Sequence, residues 1–392
     1  MAMKKRKGGK YIAPVVREKG WFVKGLLALV LAVASLGLSG WLLQGVLYSN
    51  SDPGTKTQQS TTNYAVLDRY DTQMNNIISD ALEGVLSIQK TYWLSDADQV
   101  APEPNQDKFG TANSPSELAW LLEEAKTLLD GEELTFNTET PVYPGTKINY
   151  YFDDTILVIT WKQEIDWVTY TISEVKIAHP SQFRRFLAGG EYGSSVQLTT
   201  TEMAASVNAV VASSGDFYKF RMSGIVVYDG LVRKISGKNH DTCFIDEDSN
   251  LHLVYSGELT TREASQKYVD ENNIRFSLGF GPNLVDKGEI VAPSRYPLGE
   301  IGDRYARAGL GQLGKLHYML VTANSEFSPN TPNIYEFAEV GQQLGMDTFY
   351  NLDGGQTAVI CMNDKLINKV VYGAQRQISD IIYFATAIPN GG

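Results

Sequence analysis

Residues 25–51, GLLALVLAVASLGLSGWLLQGVLYSNS, hold no charged side chain in 27 consecutive positions. About 20 apolar residues coiled as a helix cross the hydrocarbon core of a bilayer, so this run predicts a single transmembrane anchor over 25–48. Trp21, Trp41 and Tyr48 stand where interfacial aromatics belong. Residues 1–24 carry eight Lys and Arg against one acid, Glu18, which predicts a basic cytoplasmic tail. Everything beyond residue 50 then lies outside the cell, on a single-pass protein of the cell membrane. A cleavable signal peptide is the alternative, because Ser35, Gly37, Ser39 and Gly40 are small. The apolar run continues past them through Leu43 and Val46, which favours the anchor.

The basic tail hides how acidic the remainder is. The whole chain of 392 residues has a formal charge of −11, and removing residues 1–24 leaves a net of −18. Such a surface repels phosphate backbones, so no nucleic-acid partner is expected. Two cysteines, Cys243 and Cys361, cannot build a disulfide framework; one bridge or two buried thiols are both compatible with the sequence. Four scattered His residues give no zinc spacing.

Residues 49–140 read as a linker followed by a helical stalk region. From Asn63 to Tyr92, Leu67, Tyr70, Met74, Ile77, Ile78, Ala81, Val85 and Ile88 recur at helical spacing. That face serves either a dimerising stalk, which would make the protein a homo-oligomer, or packing onto the main domain. Ser114-Pro115-Ser116-Glu117 predicts a second helix, with Ser114 as cap, ending near Asp130-Gly131. Beyond Tyr143 the texture turns β-branched and aromatic, with a hairpin break near Glu164–Asp166. Two further helices are expected, over Thr261–Glu271 and from a Thr331 cap and Pro332 to Gly345. The fold class expected is α+β, a β-rich mixed-sheet domain over 141–392 that follows the anchor and a short helical region.

Three polar loops interrupt the strands of that domain. Asn351-Leu352-Asp353-Gly354-Gly355-Gln356-Thr357 lies between two apolar runs. Asp-Gly in that setting signals a hairpin turn, yet a turn requires neither Asn351 nor a second glycine. Successive glycine N–H groups also form anion-binding hollows. Ser214-Gly215-Asp216-Phe217 follows an apolar strand, with Lys219 and Arg221 close behind. Arg307, ahead of Gly311-Gln312, is either a surface charge or a group suited to bidentate capture of a phosphate.

The order of these pieces resembles the phosphodiester glycosidase family. The matching elements are S-S-G-D-F-Y (213–218), G-I-V-V-Y-D-G (224–230), F-G-P-N-L-V (280–285), R-A-G-L-G-Q (307–312) and N-L-D-G-G-Q-T (351–357). The family includes the lysosomal uncovering enzyme and many bacterial exopolysaccharide-related envelope proteins. Ser214-Gly215-Asp216-Phe217 stands where relatives commonly carry Asn-Gly-Gly-Phe. Gln356 and Thr357 replace a third glycine and a serine. The resemblance implies hydrolysis of a sugar–O–phosphoryl bond in a phosphate-containing glycan, to free sugar and phosphomonoester. Phosphate leaves readily, so stabilising its charge and activating water matter more than protonating the leaving group. Asp353 and Asp216 are then the candidate carboxylates, with Glu336 a third. Arg307, Gly354, Gly355, Gln356, Gly215, Arg221, Asn351 and Gly311 are the candidate substrate- and phosphate-binding residues. No cofactor is implied; a divalent cation such as Ca²⁺ would find hard oxygen ligands in the loops, without EF-hand spacing. The rival expectation is a non-catalytic envelope module that binds a phosphate-bearing glycopolymer with the same residues.

Overall fold

The β-branched run after Tyr143 folds into the hairpin its pattern predicts. Strands Ile156–Ile165 and Val168–Ile177 pair antiparallel. They are joined at Asp166 and Trp167, whose φ of 50° and 62° are those of a turn matched to strand twist. Every residue of Val168–Ile177 is buried, so this strand lies in a sheet covered on both faces. The computed structural model describes residues 100–129, 133–219, 224–236, 240–293 and 303–390. The expected anchor over 25–48, the 63–92 helix and Arg221 lie outside the described residues.

The hairpin sits within a nine-stranded sheet. Its order is Phe109–Ala112, Ile148–Phe152, Ile156–Ile165, Val168–Ile177, His317–Asn324, Arg307–Gly314, Thr348–Leu352, Asn283–Asp286 and Glu289–Ile290. A five-stranded sheet runs Lys365–Leu366, Ile360–Met362, Val211–Ser214, Asp380–Phe384 and Phe183–Leu187. A three-stranded sheet, with strand Thr242–Asp246 at its centre, and the pair Ile225–Tyr228 with Leu231–Ile235 complete the set. A mixed sheet was the expectation; the strand ladders among the described residues are antiparallel instead. Antiparallel neighbours need only short turns, whereas parallel pairs need long crossovers, and the described residues hold few helices to supply them.

Alternation along Thr348–Leu352 assigns the two faces of the large sheet. Phe349 joins Trp161, Ile172 and Phe337 under helix Ile334–Gln343. Tyr350 and Leu352 join Tyr318, Leu310, Phe183 and Phe384, where the five-stranded sheet packs against the nine-stranded one. Gly311 belongs to the first face: a Cβ there would overlap the Met346 side chain. Its absence of side chain serves packing, not the anion cradle expected of it.

The expected boundary at residue 141 falls inside the fold. Phe109–Ala112 pairs with Ile148–Phe152, and Leu118, Leu121, Ala125 and Leu129 share the core with Trp161. Helix Ala119–Glu124 is preceded by a 3₁₀ turn, Pro115–Leu118, and Ser114 makes no side-chain cap bond. Glu117 reaches instead to the Asn113 N–H at 2.9 Å. Helix Arg262–Glu271 begins at Thr261, whose side chain accepts from the Ala264 N–H, as expected. The later helix is capped by Asn333, not Thr331. Asn333 Oδ1 accepts from the Tyr335 and Glu336 N–H groups while Glu336 returns a bond to the Asn333 N–H. This reciprocal pair satisfies N–H groups that a Thr331 start would have left open. Cys243 and Cys361 are both free and buried, in different core clusters. No helix among the described residues is long and apolar enough to cross a membrane.

Candidate functional site

The segment 351–357 is not a hairpin. Strand Thr348–Leu352 ends in the large sheet, the 3₁₀ turn Gly355–Thr357 follows, and Ile360–Met362 enters the five-stranded sheet. The segment is thus a link between sheets. Asp353 donates its N–H to Gly215 O at 3.4 Å, and Ser214 Oγ donates to Asp353 O at 3.2 Å. These contacts join two of the predicted loops. The third arrives through its backbone: Gly355 N–H donates to Ala306 O at 2.8 Å. A Cβ on Gly354 would overlap that same carbonyl, so this close approach requires glycine.

Among the described residues, Arg376 is the cation at the Asp353 carboxylate. Its Nη2 ion-pairs with Asp353 Oδ2, and its guanidinium lies 4.5 Å from the centre of the Phe217 ring. Arg376 N–H also reaches Gln356 O at 3.4 Å, while Gln356 Nε2 donates to Ala374 O at 3.2 Å. The Arg376 side chain is 41% exposed and that of Asp353 9%, so both meet solvent at the lip. Arg307, expected as the phosphate clamp, is buried. Its Nη2 donates to Asp303 O at 2.8 Å, and Tyr305 lies over it at 5.8 Å. Its side chain therefore supports the strand start from within, while its backbone flanks Gly354.

Beneath the lip lies a sealed charge cluster. Arg185 Nη2 meets Asp216 Oδ1 at 2.6 Å and Asp380 Oδ2 at 3.0 Å, with all three side chains at most 1% exposed. The remaining capacity of Asp216 is used by the N–H groups of Tyr218 at 3.0 Å and Gly279 at 2.7 Å. Asp380 accepts from the N–H groups of Asp216 at 3.0 Å and Phe217 at 3.1 Å. Gly215 is required here, because a Cβ would overlap Asp380 Oδ2. Burial raises Asp216 to about 7; Arg185 opposes that shift and Asp380 adds to it. For Arg185, the two carboxylates outweigh burial and raise its ionisation further. Asp216 therefore holds the loop from inside and is closed to any ligand at the lip. The chain of contacts runs from Arg185 through Asp380 to the Phe217 N–H, then through the Phe217 ring to Arg376 and Asp353.

The remaining candidates fall elsewhere. Asn351 is buried and donates from Nδ2 to Gly281 O at 2.8 Å. Glu336 caps its helix and pairs with Arg304 at 2.9 Å, sharing no bond with the Asp353 cluster among the described residues. Arg185, Asp380 and Arg376 were missed. The first two had a signal: Phe183-Arg184-Arg185-Phe186-Leu187 and Asp380-Ile381-Ile382 set charges inside apolar strands, which only pairing makes tolerable. Arg376 sits in a loop without pattern and had none.

This convergence of strand-end loops falls largely within one stretch of chain. Residues 207–385 match the family model for phosphodiester glycosidases. The matched segment contains Asp216, Phe217, Asp353, Gly354, Arg376 and Asp380, while Arg185 precedes it. Among solved structures, the chain is similar to a zebrafish protein, the N-acetylglucosamine-1-phosphodiester alpha-N-acetylglucosaminidase catalytic domain auto-inhibited by pro-peptide. That likeness has 16% identity and a TM-score of 0.48, and covers 66% of this chain and 92% of that one. A hypothetical protein from Synechocystis is similar at 13% identity and a TM-score of 0.43, covering 63% of this chain and 64% of that one. No curated protein matches the chain.

Proposed function

We propose that the protein is a hydrolase of glycosyl phosphodiesters, held outside the cell by the 25–48 anchor and acting on a phosphate-bearing envelope glycan. The observation that carries this reading is the exposed Arg376 guanidinium on Phe217, paired with Asp353 where the family-matched loops converge. A phosphoryl oxygen approaching the lip meets Arg376 first, and a guanidinium suits bidentate contact with phosphate. Phosphate binding draws Arg376 toward the phosphoryl oxygens and weakens its hold on the Asp353 carboxylate. Asp353 then takes a proton from water as the water oxygen bonds to the anomeric carbon. The bond from that carbon to the phosphate oxygen breaks, and its electron pair leaves on the phosphomonoester. Positive charge spreads onto the sugar ring in the transition state, so the nearby carboxylate also stabilises it.

Incubation of the protein with a sugar-1-phosphodiester tests the reading, with reducing ends and phosphomonoester measured together. The two should rise in equal amounts, and Asp353→Asn should slow both by about 10²–10⁴-fold, the usual weight of a general base. Wild-type rates in that variant would remove Asp353 from the chemistry. Binding without release of either product would support the glycopolymer-binding module instead.

A further inference from the structure

A second concavity lies between the Asp166–Trp167 turn and helix Ile334–Gln343. Its volume of about 540 Å³ is in the range of small-molecule sites. Asp166, Tyr170, Arg304, Asn330, Glu336 and Glu339 line it. Three carboxylates thus face one guanidinium. Glu336 is already engaged, by Arg304 at 2.9 Å and the Asn333 N–H at 3.1 Å. Asp166 and Glu339 come from different elements and are both exposed. Neither carboxylate shares a hydrogen bond or ion pair with any described residue, so two negative charges are left uncompensated at this cavity.

Tyr170 supplies an independent observation. It is only 2% exposed, it forms part of the lining, and its hydroxyl makes no hydrogen bond to any described residue. The ring is packed away while the unpartnered oxygen opens into the cavity, where a ligand can reach it. Burial, together with the Glu336 and Asp166 carboxylates, pushes its ionisation to higher pH, so it stays neutral and can both accept and donate. Among the described residues, no group of three or more His, Cys, Asp or Glu is placed to hold a metal ion. Dispersed carboxylates around a neutral hydroxyl suit an extended organic cation better than a compact one.

We propose that this cavity binds an organic ammonium ligand. Asp166 and Glu339 take its charge, and the Tyr170 oxygen accepts from its N–H or meets a ligand hydroxyl. The proposal stands apart from the Asp353 reading. A linear polyamine and an amino sugar share the ammonium, and the test separates them. Calorimetric titration of the full chain would use spermidine and glucosamine, with glucose as the twin lacking the ammonium. Saturable binding of one amine and none of glucose is expected; a preference for spermidine or glucosamine identifies the source. The double variant Asp166→Asn/Glu339→Gln changes exposed residues, and should weaken binding at least 10-fold with an unaltered circular dichroism spectrum. Tyr170→Phe should weaken it several-fold. The absence of saturable binding for both amines in the wild type would overturn the proposal, as would an unchanged affinity in the double variant.

Discussion

At the scale of single residues, the site is organised by one buried arginine serving two carboxylates. Arg185 cannot neutralise both Asp216 and Asp380, and burial lifts Asp216 to about 7. Below the ordinary carboxylate range, Asp216 is protonated in folded and unfolded chains alike. Between that range and about 7 only the folded chain holds the proton, so ionising Asp216 there opposes folding. Stability contributed at low pH is therefore lost as pH rises to about 7, and is flat beyond. Denaturant midpoints measured from pH 4 to pH 8 should show this decline in the wild type, and Asp216→Asn should remove it. A decline of equal size in the variant would show that another group titrates. Gly215→Ala tests the same contacts sterically. The added methyl overlaps Asp380 Oδ2, and overpacking of this kind costs about 1–3 kcal/mol, readable as a lower unfolding midpoint.

At the scale of elements, the two mispredicted caps give contrasting expectations. Asn333 fills a complete capping box, so Asn333→Ala should cost about 1 kcal/mol in chemical denaturation. Ser114 makes no cap bond, so Ser114→Ala should be nearly neutral. Equal effects would contradict the assigned caps. The same contrast explains what the sequence discloses. Periodicity locates the 156–177 hairpin and the helix from Arg262, because side-chain alternation and Thr261 act locally. Cap choice among Thr331 and Asn333 depends on where the helix docks on Phe349, which is a tertiary matter. The Asp-Gly-Gly segment carries its loop character openly. Its path from one sheet to another depends instead on pairing partners more than 130 residues away, Ser214 and Gly215. Arg376 becomes part of the site only because Phe217 lies beneath it, a contact no local pattern encodes.

At the scale of the molecule, the two sheets and their helices form separate apolar compartments, and the cysteines show it. Cys243 lies in the core between the large sheets, Cys361 in the cluster around Met203 and Tyr383. Burial raises both thiols, Cys361 to about 12. Alkylation of the native protein should therefore be slow, and denaturation without reductant should release two titratable thiols per chain; none would indicate a bridge. The link that bears Asp353 has its own implication. It is a strap tied at one end to each slab of the sandwich, and also stitched to Gly215 and Ala306. Any sliding of one slab over the other would disturb the alignment of Asp353 and Arg376 long before it melted either slab. On the proposed hydrolase reading, variants with repacked interiors should accordingly lose turnover while still unfolding cooperatively, which would make activity the more sensitive gauge of how well the interior is filled.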